Sequence, residues 1–169
     1  DGKFKAAQLV RSCETLKNLS LEYGIPLLSG KDSMYVDGHL EGKYGVTRKV
    51  SGLETMQFSA VGLVNDVKKC VSLDFKFADD LIYVIGLTKD ELGAGEYYEM
   101  LGFTGLNVPK VDSSSFKMIY SAMSEAIEKE LVASVHGIYR GGLGVHLAMC
   151  AMAGNLGANV DLEAIPAEK

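Results

Sequence analysis

"VASVHGIYRGGLGVHLAMC", residues 132–150, decides how this chain is read. Its first six residues, VASVHG, have the character of a buried strand, and IYRGG then turns the chain into a helix running from Leu143 to about Met152. Strand, glycine-rich turn and helix in succession form the repeating unit of an α/β protein. The turn also carries groups suited to an anion. Gly141, Gly142 and Gly144 allow close backbone approach, a helix N-terminus offers unpaired amides, and Arg140 can add a bidentate contact to phosphate or carboxylate. His136 sits at the strand end beside this turn, whereas His146, inside the helix, reads as a polar-face or satisfied core histidine. With no third ligand near either, zinc is a poor reading.

Outward from this stretch the same alternation continues. "GANVDL" (157–162) reads as a last strand, and a helix from Ser114 to Lys129, capped by Ser113 or Ser114, carries an apolar stripe of Phe116, Ile119, Tyr120, Met123 and Ile127. "LIYVIGL" (81–87) is apolar enough for burial on both faces of a sheet. "MQFSAVGLV" (56–64) is a further strand, and residues 65–75 continue as a turn and another strand. Nearer the start, Ala6, Leu9, Val10, Cys13, Leu16 and Leu19 or Ser20 mark an amphipathic helix from Phe4 to Leu21, ended by Gly24. Ile25, Leu27 and Leu28 follow as a short strand, and residues 35–54 as a glycine-rich loop or loose hairpin. The expected fold class is α/β or α+β with a layered core, divided near Lys76 to Asp79.

The 169 residues, 47% apolar, suffice for a sizeable core in one domain or two pieces sharing an interface. A net charge of -5 gives no attraction to nucleic acid or an anionic membrane, and no stretch has the length and apolarity of a membrane span. Cys13, Cys70 and Cys150, odd in number and far apart, fit reduced thiols of a cytoplasmic protein. A start on DGKFKAAQLV, without an initiator methionine, suggests a piece of something larger.

Two other stretches hold polar groups that can do chemistry. In Ser29-Gly30-Lys31-Asp32-Ser33, directly after a strand, Lys31 can neutralise phosphate and Asp32 can hold a divalent cation, which makes it the candidate metal ligand. The spacing is not that of a Walker A loop, and a polar turn with a solvated lysine explains the same residues. "VPKVD" (108–112) presents Lys110 and Asp112 after a proline, either toward a ligand or as a salt-bridged loop.

Taken in order, "PLLSGKDSMYVDG", "FSAVGLVNDVKKCVSLDFK", "LIYVIGLTKDELGAGEYY", "VPKVD" and "HGIYRGGLGVHLAMCAMAGNLGANVDL" resemble the phosphoribosylformylglycinamidine synthases of purine biosynthesis along essentially the whole chain. The resemblance implies that residues 1–76 end an N-terminal domain of the aminoimidazole ribonucleotide synthetase type, with barrel-forming strands. Residues 77–169 would then begin the C-terminal α/β domain in the second synthetase half. It also implies an ATP- and magnesium-dependent ligase that turns formylglycinamide ribonucleotide and glutamine-derived ammonia into formylglycinamidine ribonucleotide, ADP and phosphate. Its partners would be the remaining synthetase domains and a glutaminase domain or subunit, with self-association through barrel strands as a further expectation. Alone, such a fragment is expected to be inactive.

On that resemblance Ser29, Gly30, Lys31, Asp32 and Ser33 line a ligand cleft, and Lys110, His136, Arg140, Gly141 and Gly142 complete the expected binding set. The turn departs from the family's pattern, in which many members read His-Asp-x-Ser-Asp-Gly-Gly. Here Gly137 stands in place of the metal-binding aspartate, Tyr139 in place of the serine, and Arg140 in place of the second aspartate. Losing a hard oxygen ligand and gaining a cation favours direct anion binding over magnesium. Two alternatives remain open: another ATP-dependent small-molecule kinase or synthetase of the same superfamily, and a noncatalytic assembly module.

Overall fold

The computed structural model describes residues 2–33 and 37–168, so Met34, Tyr35 and Val36 of the GKDSMYV stretch lie outside the described residues. It divides into two units, one up to Leu63 and one from Val64. The division expected near Lys76 to Asp79 lies inside the second unit.

The first unit begins with α1, Gly2–Tyr23. Its C-terminus is closed by a Schellman motif: the Ile25 N–H donates to the Ser20 carbonyl (3.0 Å) and the Gly24 N–H to that of Leu21 (3.3 Å), with Gly24 at φ 69. Gly24 thus ends the helix as its sequence position predicted. The covered face is only in part the predicted one, shared at its C-terminal half. Gln8, Ser12, Leu16, Leu19, Ser20 and Tyr23 are half-buried, whereas Leu9, Val10 and Cys13 are exposed.

Of the two readings that composition left for residues 35–54, the hairpin is the one that the described residues 37–51 form. β1 (Asp37–Glu41) pairs antiparallel with β2 (Thr47–Ser51), Asp37 opposite Ser51 and Glu41 opposite Thr47. Lys49 reaches diagonally to Asp37 (2.7 Å) and, with Ser51, holds that carboxyl below its usual range.

In the second unit a short helix, α2 (Glu96–Met100), precedes α3 (Ser113–Glu128) and α4 (Gly142–Gly154), and the last two stand where helices were expected. The cap of α3 is a correction. Asp112, not a serine, accepts from the backbone N–H groups of Ser114 (3.1 Å) and Ser115 (3.2 Å) and from both hydroxyls. A carboxylate takes four such bonds where a hydroxyl takes fewer, and the hydrogen bonds lower its pKa from 3.8 to about 2. The α3 stripe is also narrower than expected: Ile119, Met123 and Ile127 are half-buried, while Phe116 and Tyr120 are exposed and stack on each other.

α4 is apolar around its whole circumference, which suits a helix packed on several sides. Only Gly93, His146 and Cys150 are buried among the described residues, and two of them are one turn apart on α4. The 72–75 segment packs against this helix, with the Phe75 N–H donating to the Cys150 carbonyl (3.2 Å). Gly154 makes that approach possible, since a Cβ there would lie 2.3 Å from the Phe75 carbonyl oxygen.

The strands expected at 25–28, 56–64, within 65–75, and at 81–87, 132–137 and 157–162 are not formed; the one sheet among the described residues is the β1–β2 hairpin. The mixed helix-and-strand content stands, but no layered sheet assembles. A strand is defined by a neighbour that takes its N–H and C=O groups, and these runs find only single contacts. Val135 donates to the Ser72 carbonyl (3.3 Å), and Thr88 forms an isolated parallel bridge with Ala167. Val61 and Leu63 are 96% and 98% exposed. Among the described residues no helix is long and apolar enough to cross a membrane.

Candidate functional site

The second unit gathers His136, Arg140, Gly141 and Gly142 around the start of α4, as the sequence predicted for this turn. Gly141 (φ 101) and Gly142 (φ 75) swing the chain into the helix, and the Gly142 N–H donates back to the Tyr139 carbonyl (3.1 Å). His146, one turn into α4, is 7% exposed and bonded at both ring nitrogens: Nδ1 lies 2.9 Å from His136 Nε2, and Nε2 lies 3.1 Å from the Arg140 carbonyl. It is therefore the satisfied core histidine, not a free ligand.

Arg140 is held by two carboxylates that sequence reasoning did not associate with it. Its Nε meets Glu96 Oε1 at 2.6 Å and its Nη2 meets Glu99 Oε2 at 3.0 Å. The missed signal was the i, i+3 spacing of those glutamates on a short helix, which puts both on one face. The guanidinium is 69% exposed, so its outer edge stays open to an anion.

Within the second unit, Lys110 is not drawn into this cluster by any contact among the described residues. Its side chain is exposed, and its backbone N–H donates to Glu91 Oε2 (3.1 Å). Asp112 is engaged by the α3 cap. In the first unit Ser29, Gly30, Lys31, Asp32 and Ser33 are all exposed and outside regular structure, with Lys31 Nζ hydrogen-bonded to Ser33 Oγ.

The donor set at the α4 turn does not fit magnesium. Mg²⁺ takes oxygen ligands, and this turn offers two imidazoles and a guanidinium, with glycine at position 137. Among the described residues no group of three or more His, Cys, Asp or Glu side chains is placed to hold a metal ion. What the turn can do is bind negative charge through Arg140.

Residues 78–169 match the family described as AIR synthase related protein, C-terminal domain. The chain belongs to this AIR synthase related family. Its relatives include proteins named phosphoribosylformylglycinamidine synthase subunit PurL. The one from Thermococcus sibiricus is 35% identical over 160 residues, 92% of this chain and 21% of that protein. That of Methanocaldococcus jannaschii is 34% identical over 158 residues, again 92% and 21%, and that of Thermococcus gammatolerans 46% identical over 88 residues, 52% and 12%. The family resemblance read from the ordered motifs is thereby shown. The chain spans about a fifth of the length of the first two of these relatives. No solved structure gives a significant match.

Proposed function

We propose that this chain is one segment of an ATP-dependent ligase that converts formylglycinamide ribonucleotide and glutamine-derived ammonia to formylglycinamidine ribonucleotide, ADP and phosphate. The observation that carries the reading is similarity over 92% of the chain to synthase subunits of that name. The amide is a poor electrophile. Transfer of a phosphoryl group to its oxygen creates a leaving group that ammonia can displace.

This segment's share of the work is to hold negative charge. Arg140, at the start of α4, contacts a phosphate of the ribonucleotide or of a nucleotide, and Lys31 with Ser29, Gly30, Asp32 and Ser33 contributes a second polar surface. Bound ATP and Mg²⁺ supply the phosphoryl group and its charge neutralisation; no step passes through a metal at the α4 turn, whose side chains do not suit one. Ammonia comes from a glutaminase domain or subunit, and the remaining synthetase domains complete the barrel that residues 25–28 and 56–64 join as strands.

The test is ADP release by the full-length protein with formylglycinamide ribonucleotide and ammonium. Turnover is expected, with R140A raising the KM for one phosphate-bearing substrate roughly tenfold, the size of one lost charge-assisted hydrogen bond. No ribonucleotide-dependent ADP release would sink the reading. A noncatalytic assembly role is favoured by the uncovered apolar run at 56–64, and it predicts a chain that dimerises yet binds no nucleotide or ribonucleotide.

A further inference from the structure

The Tyr139 ring fills the space above Gly137. A Cβ on residue 137 would lie 2.6 Å from the tyrosine oxygen and 2.7 Å from Cζ, so a side chain there would displace the ring, which is 69% exposed. The same ring stands edge-on to both histidines, with centroids 5.9 Å from His136 and 5.5 Å from His146 and interplanar angles of 74° and 75°. A backbone carbonyl only accepts, so neutral His146 carries its proton on Nε2, facing Arg140. Its Nδ1 then accepts from the His136 Nε2–H. Two hydrogen bonds in series thus run from the residue before Gly137 to the backbone of Arg140. Glu96 and Glu99 fix the other end of the same residue.

We infer that Tyr139 is a positioning residue: its ring wedges the His136–His146 pair in place and, through it, sets Arg140 for an anionic ligand, with Gly137 the small partner that the wedge requires. The inference rests on the reading of Arg140 as a phosphate contact. A side chain at 137 would have to push the Tyr139 ring from its present place, so the ring's position over the turn goes with a glycine at 137.

The experiment uses the full-length protein and two readouts, ¹⁵N-histidine NMR of the His146 tautomer and calorimetric titration with formylglycinamide ribonucleotide. Y139F keeps the ring and is expected to match the unaltered protein in both. Y139A and G137A are expected to lose the single Nε2–H tautomer and to bind about tenfold more weakly, as R140A does. Because Tyr139 acts through Arg140, Y139A combined with R140A should bind no more weakly than R140A alone. Should Y139A not fold, Y139L keeps the bulk without the aromatic edge and is expected to show both losses. An unchanged His146 tautomer in Y139A or Y139L, or additive losses in the double variant, overturns the inference. If R140A leaves binding intact, the anion reading falls, while the tautomer still decides whether Tyr139 holds the pair.

Discussion

Arg140 shows how one side chain's availability is set by its neighbours. Two glutamates compete with any incoming anion for the guanidinium, and exposed pairs of this kind are weak, of order 1 kcal/mol or less. Replacing both, as E96Q with E99Q, is therefore expected to tighten binding of a phosphate-bearing ligand by roughly two- to fivefold, measured by titration at low salt. Weaker binding would mean that the carboxylates orient Arg140 and do not compete with the ligand. Cys150 gives a second residue-scale expectation. Burial raises its thiol pKa, with the Asp74 carboxylate adding to the effect, whereas Cys13 and Cys70 are exposed. At mildly alkaline pH, iodoacetamide should label Cys13 and Cys70 well before Cys150, followed by mass spectrometry. Equal rates would contradict the buried placement.

At the scale of elements, helices were legible because their signals are local. Apolar spacing located α1, α3 and α4, and Gly24 marked a stop that needs only its own backbone. The α3 cap was misplaced by one or two residues because Asp, Ser and Ser in a row all qualify, and the choice is made by the number of donors in reach. That choice has a pH signature. The Asp112 pKa is lower in the folded chain, about 2 against 3.8, so its stabilisation is complete above about pH 4 and is lost as pH falls toward 2. D112A should lower the melting temperature at pH 7, and D112N, an equally good cap, should restore it while making melting less sensitive to acid in that window. A D112A protein melting like the unaltered one would remove the cap from the account. Strands were legible only as apolar runs, since their completion depends on a neighbour at a distance in sequence. The turn at 136–142 was recognisable as a glycine-rich helix entry carrying Arg140, but the contacts of Glu96, Glu99 and His146 depend on packing that no spacing rule encodes.

For the whole molecule, the balance is set by what stays uncovered. With three buried residues among those described, most of its apolar side chains remain in water, although composition alone promised a core. Hydrophobic stabilisation of the chain by itself is correspondingly small. Amide exchange at Met56–Val64 is thus expected to be near the unprotected rate in the isolated chain and at least about a hundredfold slower in the full-length protein, read by mass spectrometry. Equal protection in both would show that this run finds no strand partner there. One consequence follows from the hairpin's neighbour in sequence, the uncovered run at 56–64. Without a fixed cover, such a segment is open to a protease, and with one it is not. If the proposed assembly covers the run, cleavage there would report the fraction of molecules not yet assembled.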